Sequence, residues 1–304
     1  MNVVIVGGGI VGLASAYYLA DRGADVTVLE KASVGSGATD RAAGGVRTQF
    51  TTEVGISLSQ ESVAVWETFE EDFGVDIEYR RPGYLYVART EATADLFREA
   101  IPIQNDLGVD SRFLDPEEAT EYVPGLRTGQ YVGTAYCPTA GFADPHLGLQ
   151  GFSRAATAAG AEVHTGVEVT DIRTDGETVV GVESTEGRYD ADFVVNAAGS
   201  WAGRVGAMAG LELPIAPKRR QLMVVDPEQP VPADVPMTVD LDDGAHFRPE
   251  REGRAVVGGH FSESDPDQDP DDYQKTTGLD WTVDVLEHVS TVADYFGPDT
   301  GVVR

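Results

Sequence analysis

Gly7, Gly9 and Gly12 stand at G-x-G-x-x-G spacing, directly after a β-branched run (Val3 to Val6) and before an apolar, Ala-rich stretch from Ile10 to about Asp21. Residue types at this spacing suit one task, the holding of a pyrophosphate. Gly7 allows a turn too tight for a Cβ, Gly9 lets backbone approach the phosphates, and Gly12 lets helix and strand pack closely. Ile10 and Val11 then open a helix whose free N–H groups and dipole attract an anion. A second β-branched run, Val26 to Leu29, ends in Glu30, placed to accept hydrogen bonds from an adenosine ribose. A lone glycine motif is weak evidence. Strand, turn, helix, strand and acid in order are much stronger, and they predict a bound dinucleotide.

Little else in the chain offers chemistry by spacing alone. The five histidines and the single cysteine contain no pair at metal-ligand spacing, so no metal is expected. Cys137 excludes an internal disulfide and reads as a small buried hydrophobe. Acidic runs at 67–72 and 262–272 lack His or Cys and read as solvated surface. The 304 residues carry 51 Asp and Glu against 22 Lys and Arg, a net charge of −29. Such a surface repels nucleic acid and anionic lipid, so neither is expected as a partner. Only three of the basic residues are lysines (Lys31, Lys218, Lys275), and this acid-rich, Lys-poor balance predicts adaptation to high salt. The apolar N-terminus lacks a basic leader and is broken by glycines, which argues against a signal or membrane span and for a cytoplasmic protein.

The pattern of elements predicts an α/β fold: a Rossmann-like nucleotide domain interrupted by a mixed β-sheet module. The expected division is 1–81 plus 142–214 for the first and 82–141 plus 215–304 for the second. An amphipathic helix is expected over 52–73 on apolar positions Val54, Leu58, Val65 and Phe69. Gly83–Ala88 alternates like a strand, Asp115 caps a short helix, Pro145–Ala159 reads helical, and a last helix falls near Trp281–Tyr295.

The Gly7–Glu30 unit, the glycine-rich loop Gly35–Phe50, the stretch from Gly141 to Arg173, Asn196-Ala-Ala-Gly-Ser-Trp201 and His246-Phe-Arg-Pro occur in this order. Together they resemble the glycine oxidase, sarcosine oxidase and D-amino-acid oxidase superfamily of flavoproteins. The resemblance implies non-covalent FAD, with pyrophosphate on the glycine turn and ribose at Glu30, beside Lys31. Ala38, Thr39, Ala43, Gly44 and Gly45 would approach phosphate and flavin, Val169 the adenine, and Gly199 the turn beside the cofactor. It further implies oxidation of the C–N bond of a small amino acid or N-alkyl amino acid, a hydride passing from the C–H next to nitrogen to the flavin and an imine leaving. Arg47 is the expected carboxylate clamp and Arg41 a weaker candidate, while Arg248 would fix a nearby loop. His246 stands where relatives place a tyrosine over the substrate, and could touch substrate or serve as a structural hydrogen-bonder. The stretch Val257–Asp267 lacks the lysine of fast oxidases, which favours a dehydrogenase; the acceptor is oxygen or another redox protein. Relatives continue into a closing segment, so this chain is expected to be a fragment, a truncated form or half of a split protein. The same residues would also suit a 2-hydroxy-acid or glycerol-3-phosphate dehydrogenase, or a non-catalytic FAD-binding subunit.

Overall fold

The computed structural model describes residues 1–303. Four parallel strands form one sheet, with β1 (Asn2–Val6) and β2 (Asp25–Glu30) at its centre and strands Phe193–Asn196 and Glu162–Thr165 at its edges. Val3 to Val6 are all buried, which explains a continuous apolar run without alternation. One face of the sheet packs against α1 (Ile10–Ala20) and the helix Pro145–Ala158. The latter starts where Asp144 accepts from the N–H groups of His146 and Leu147, with Pro145 in the first turn. The other face packs against an antiparallel meander (Val169–Asp175, Thr178–Ser184, Gly187–Asp190) and the helix Ala202–Met208.

The second sheet has eight strands, and Tyr84–Ala88 lies inside it between Met237–Asp240 and Gly133–Cys137. All five residues of Tyr84–Ala88 are buried. The alternation in this segment therefore separates two covered faces, not a dry face from a wet one. Leu85 and Val87 face the helix Leu279–Val292, and Tyr84, Tyr86 and Ala88 face the side of the helix Glu91–Asp106. Cys137, expected to be buried, is fully so within this second cluster. A two-residue ribbon, Gly45–Val46 against Gly141–Phe142, lies where the chain passes between the sheets. No helix among the described residues is long and apolar enough to cross a membrane.

Two local expectations need correction, and one strand carries no signal in the sequence. The helix expected over 52–73 breaks at Thr68 into Glu53–Glu67 and Phe69–Phe73. Val54 and Leu58 are 69% and 65% exposed, whereas Ile56 is buried. Ile56 packs on the eight-stranded sheet while Val65 and Trp66 pack with the parallel one, so two cores replace the single apolar stripe. At Asp115 the expected helix is only a 3-10 turn, Glu118–Glu121, with the Glu118 carboxylate accepting from the Asp115 N–H. The strand Met237–Asp240 escapes sequence reading because its inner positions are Thr238 and Asp240, both polar and fully buried.

A Cβ on Gly12 would lie 1.9 Å from the Gly7 carbonyl oxygen, whereas one on the exposed Gly129 would meet nothing within 4 Å. Gly12→Ala is expected to lower stability by about 1–3 kcal/mol. Gly129→Ala should stay within about 0.5 kcal/mol of the parent. Urea unfolding midpoints check both.

Candidate functional site

The carboxyl ends of β1 and β2 build one half of the site. Gly7 has φ +111°, and a Cβ there would meet the Ala197 carbonyl oxygen at 2.5 Å. Backbone conformation and space thus both demand glycine. Gly8, to which the spacing argument assigned nothing, donates its N–H to Glu30 Oε2 at 2.8 Å, and the Ala32 N–H reaches Oε1 at 2.8 Å. A Cβ at Gly8 would stand 2.9 Å from that of Glu30. The run of three glycines held this signal, but the motif uses only two of them. Gly9 faces open space apart from Thr39 Oγ1 at 3.3 Å, so its backbone is approachable.

Helix α1 begins without a side-chain cap and without an acid in its first turn. The Ile10 N–H donates to Thr39 Oγ1 at 3.2 Å. Among the described residues the Val11 and Gly12 N–H groups find no acceptor. Two free donors at a positive dipole end make an anion site, and the fixed Glu30 carboxylate beside it keeps a second lone pair on each oxygen. The Gly35 N–H bonds Gly8 O at 3.0 Å, which brings the glycine-rich loop against this turn. Ala38 precedes the 3-10 turn Thr39–Arg41, where Arg41 donates to the Ser36 and Gly37 carbonyls and so staples its own loop. Gly199, φ +53°, opens the turn after strand Phe193–Asn196, and Val169 buries its side chain against Val4, Val6 and Leu29.

Lys31 is taken up elsewhere. Its ammonium bonds Asp271 at 2.7 Å and sits 3.9 Å from the Trp201 ring centroid. Asp271 also accepts from the Trp201 indole and from Arg204, and these donors, Lys31 first, hold its carboxyl at about 2. Asp265 and Asp269 pair with Arg220 and Arg204 in the same way. The run 262–272, expected as solvated surface, is mostly exposed, and it is also pinned by cations on both sheets' sides. The reason is mutual: in so acidic a chain the few cations attract the densest carboxylates.

The other half of the site lies against the eight-stranded sheet. Gly44 has φ +75°, and a Cβ on Gly45 would lie 2.0 Å from the Tyr84 hydroxyl, so this loop touches the sheet through backbone. Arg47 follows. Its guanidinium donates to the Tyr86 hydroxyl and lies 5.2, 5.9 and 5.8 Å from the rings of Phe50, Tyr84 and Tyr86. Among the described residues it meets no carboxylate. Arg47, Phe50 and Tyr84 line a cleft of about 500 Å3 with Ser59, Ser62, Val63 and Trp66 of one helix face. A half-buried cation walled by aromatic faces, with no counter-ion among the described residues, has the chemistry to take an anion. Tyr84, Tyr86 and Phe50 were not singled out in the sequence, although the alternation of Gly83–Ala88 already put both tyrosines on one face.

His246 shares that face. It pairs with Val239, which pairs with Tyr86, so two strand spacings, about 10 Å, separate Tyr86 from His246. The imidazole lies across Gly258, where a Cβ would come within 2.5 Å of Nε2. Burial holds it neutral, with its pKa below the usual value. Arg248, two residues on, donates Nε–H to the Ala43 carbonyl at 3.0 Å, as expected of a residue that fixes the loop. His146 is exposed beside Asp40, His164 is half-buried beside Glu162, and His288 is bound to Asp243.

Residues 2–298 match a family described as FAD dependent oxidoreductase, DAO. The chain is 31% identical over 257 residues to human mitochondrial dimethylglycine dehydrogenase, covering 83% of this chain but 30% of that protein. It therefore spans under a third of that relative. Glycine oxidase of Geobacillus kaustophilus is 33% identical over 264 residues, which is 84% of this chain and 69% of the oxidase. The crystal structure of L-proline dehydrogenase from P. horikoshii superposes with a TM-score of 0.89 at 30% identity, over 100% of this chain and 79% of that one.

The lowered pKa of His246 has a stability consequence. Between its folded value and about 6.5 the unfolded chain binds more protons than the folded one, so stability rises with pH through that window and falls on acidification. His246→Asn is expected to remove this component, visible as a flatter urea midpoint against pH between about 5 and 7.

Proposed function

The chain belongs to the DAO family of FAD-dependent oxidoreductases, and on that premise we propose that it oxidises the C–N bond of a small amino acid or N-alkyl amino acid. The observation that carries this reading is Arg47, a cation without a counter-ion among the described residues, on the wall of an aromatic cleft and next to backbone that only glycine can form. Its planar fork suits a carboxylate. Phe50, Tyr84 and Trp66 would exclude water from the ends of the substrate, and a neutral His246 could accept a hydrogen bond or a proton from the amine.

FAD fits the residues present. Val11 and Gly12 N–H groups would meet its pyrophosphate, Gly9 the close approach, Glu30 the ribose, and Ala38–Thr39 with Ala43–Gly45 the phosphate-to-flavin path. Val169 and Gly199 would flank the adenine and the ring. The Lys31 side chain is already engaged with Asp271 and is assigned no contact. Bound FAD would supply the hydride acceptor. We assign 1–81 with 142–214 to the cofactor module and 82–141 with 215–304 to the substrate module, and we place the protein in the cytoplasm of a high-salt cell. A redox protein is the favoured electron acceptor, because Val257–Asp267 contains no lysine.

Titration with FAD should give a bound flavin spectrum, weakened by Glu30→Ala. Anaerobic bleaching by amino acids and not by 2-hydroxy acids is expected; the reverse pattern overturns the substrate class. Arg47→Met should raise KM for a carboxylate substrate about 10- to 100-fold, the loss of about 1.4–2.7 kcal/mol, and leave binding of its carboxamide unchanged. A urea midpoint that rises from dilute buffer to molar KCl checks the high-salt reading.

A further inference from the structure

We propose that Arg248 is a positioning residue that sets the distance between the cofactor loop and the substrate face of the sheet; this rests on the reading of Ala43–Gly45 and Arg47 above. The loop has no side chains with which to hold itself. Residues 42–45 are Ala-Ala-Gly-Gly, and a Cβ on Gly44 would lie 2.0 Å from the Ala143 carbonyl oxygen. Its place is set from outside, by the ribbon with Gly141–Phe142, by the Ala143 N–H on Gly44 O at 2.9 Å, and by Arg248. Among the described residues, Arg248 is the one side chain that hydrogen-bonds to the backbone of 42–45.

The guanidinium holds both members of the ribbon. Nε–H goes to Ala43 O, and the group stacks on the Phe142 ring at 4.9 Å, while Phe142 is the register partner of Gly45. The side chain is 12% exposed, and its Nη1 faces Glu250 at 3.1 Å and donates to the Pro249 carbonyl at 2.9 Å. Burying a charge this far is costly, and an apolar plug would glue the ribbon down equally well. What a plug would lack is direction: the fork fixes one carbonyl relative to one strand. That strand carries His246 two residues earlier on the same face, so a single stretch of backbone, about 7 Å long, spaces the His246 ring from the anchor of the loop. Arg47 leaves the ribbon on the next residue after Val46. Loss of the Arg248 contact should let loop and sheet drift apart without emptying the Arg47 cleft.

The experiment uses the full protein loaded with FAD, with Arg248→Ala and Arg248→Lys, and the same variants without FAD. Arg248→Ala is expected to lower kcat about 10- to 100-fold with KM changed less than about threefold, to alter the visible circular dichroism of the flavin, and to regain part of kcat in added guanidinium ion. Arg248→Lys keeps the charge but loses the Nε–H at Ala43, and carries the same expectation should the alanine variant not fold. Without FAD, amide exchange should rise at residues 42–47 and stay unchanged in β1. Unchanged kcat and dichroism, or a fall that follows thermal stability and resists guanidinium, overturns the proposal. If the parent chain binds no FAD the function proposed above fails, and the exchange pattern alone then decides for or against Arg248.

Discussion

Helix α1 rests on the turn that precedes it at a separation no side chain permits, since a Cβ on Gly12 would fall inside the Gly7 carbonyl oxygen. This contact sets the helix start directly over the carboxyl ends of β1 and β2. From it follow the free Val11 and Gly12 N–H groups, and the place of Gly8 against Glu30. The turn after strand Phe193–Asn196 closes the same site from the other side, because Gly7 leaves no room for more than the Ala197 carbonyl. A larger residue at position 7 or 12 would move the helix, and with it every donor aimed at an anion.

Electrostatics sorts the remaining cations. With 51 acids in the chain, an exposed arginine readily finds a carboxylate, as Arg98, Arg112, Arg204 and Arg220 do. Such exposed pairs contribute little to stability each. Arg47 escapes this fate because aromatic rings occupy the positions an acid would need, and its positive charge stays turned to the cleft. Arg248 is the intermediate case, buried and half-neutralised by Glu250 but with its Nε committed to backbone. One residue type thus stands in three environments: paired with acids at the surface, walled by aromatic rings beside a cleft, and hydrogen-bonded to a backbone carbonyl.

The nucleotide half was legible because local rules govern it. β1, the glycine turn, α1 and β2 are contiguous, and each glycine has a steric reason that spacing alone reveals. Gly8 was the exception, since its partner Glu30 lies 22 residues away and is met only when β2 pairs with β1. The sheet half was less legible because its determinants are long-range. Tyr84 and Tyr86 acquire meaning only when the Gly45–Phe50 loop lands on them, and Asp240 looks like a loop residue until Arg89 and Tyr131 supply its partners. The helix over 53–67 defeated a one-stripe reading because two cores share it.

The position of the candidate site follows from the same contrast. In the parallel half the free donors belong to the helix start over the sheet's carboxyl edge, whereas the mixed sheet offers a broad face. The segment from Gly35 to Gly45 joins them because seven of its eleven residues are glycine or alanine, which lets its backbone lie close to both. Such a segment has the highest conformational entropy to lose and the fewest contacts of its own to offset it. It is therefore held largely by residues from elsewhere: Leu149 against Gly35, the Ile10 N–H at Thr39, Ala143 at Gly44, and Arg248 at Ala43. The chain returns to this loop from as far as 205 residues downstream, which is why the site exists only in the completed fold.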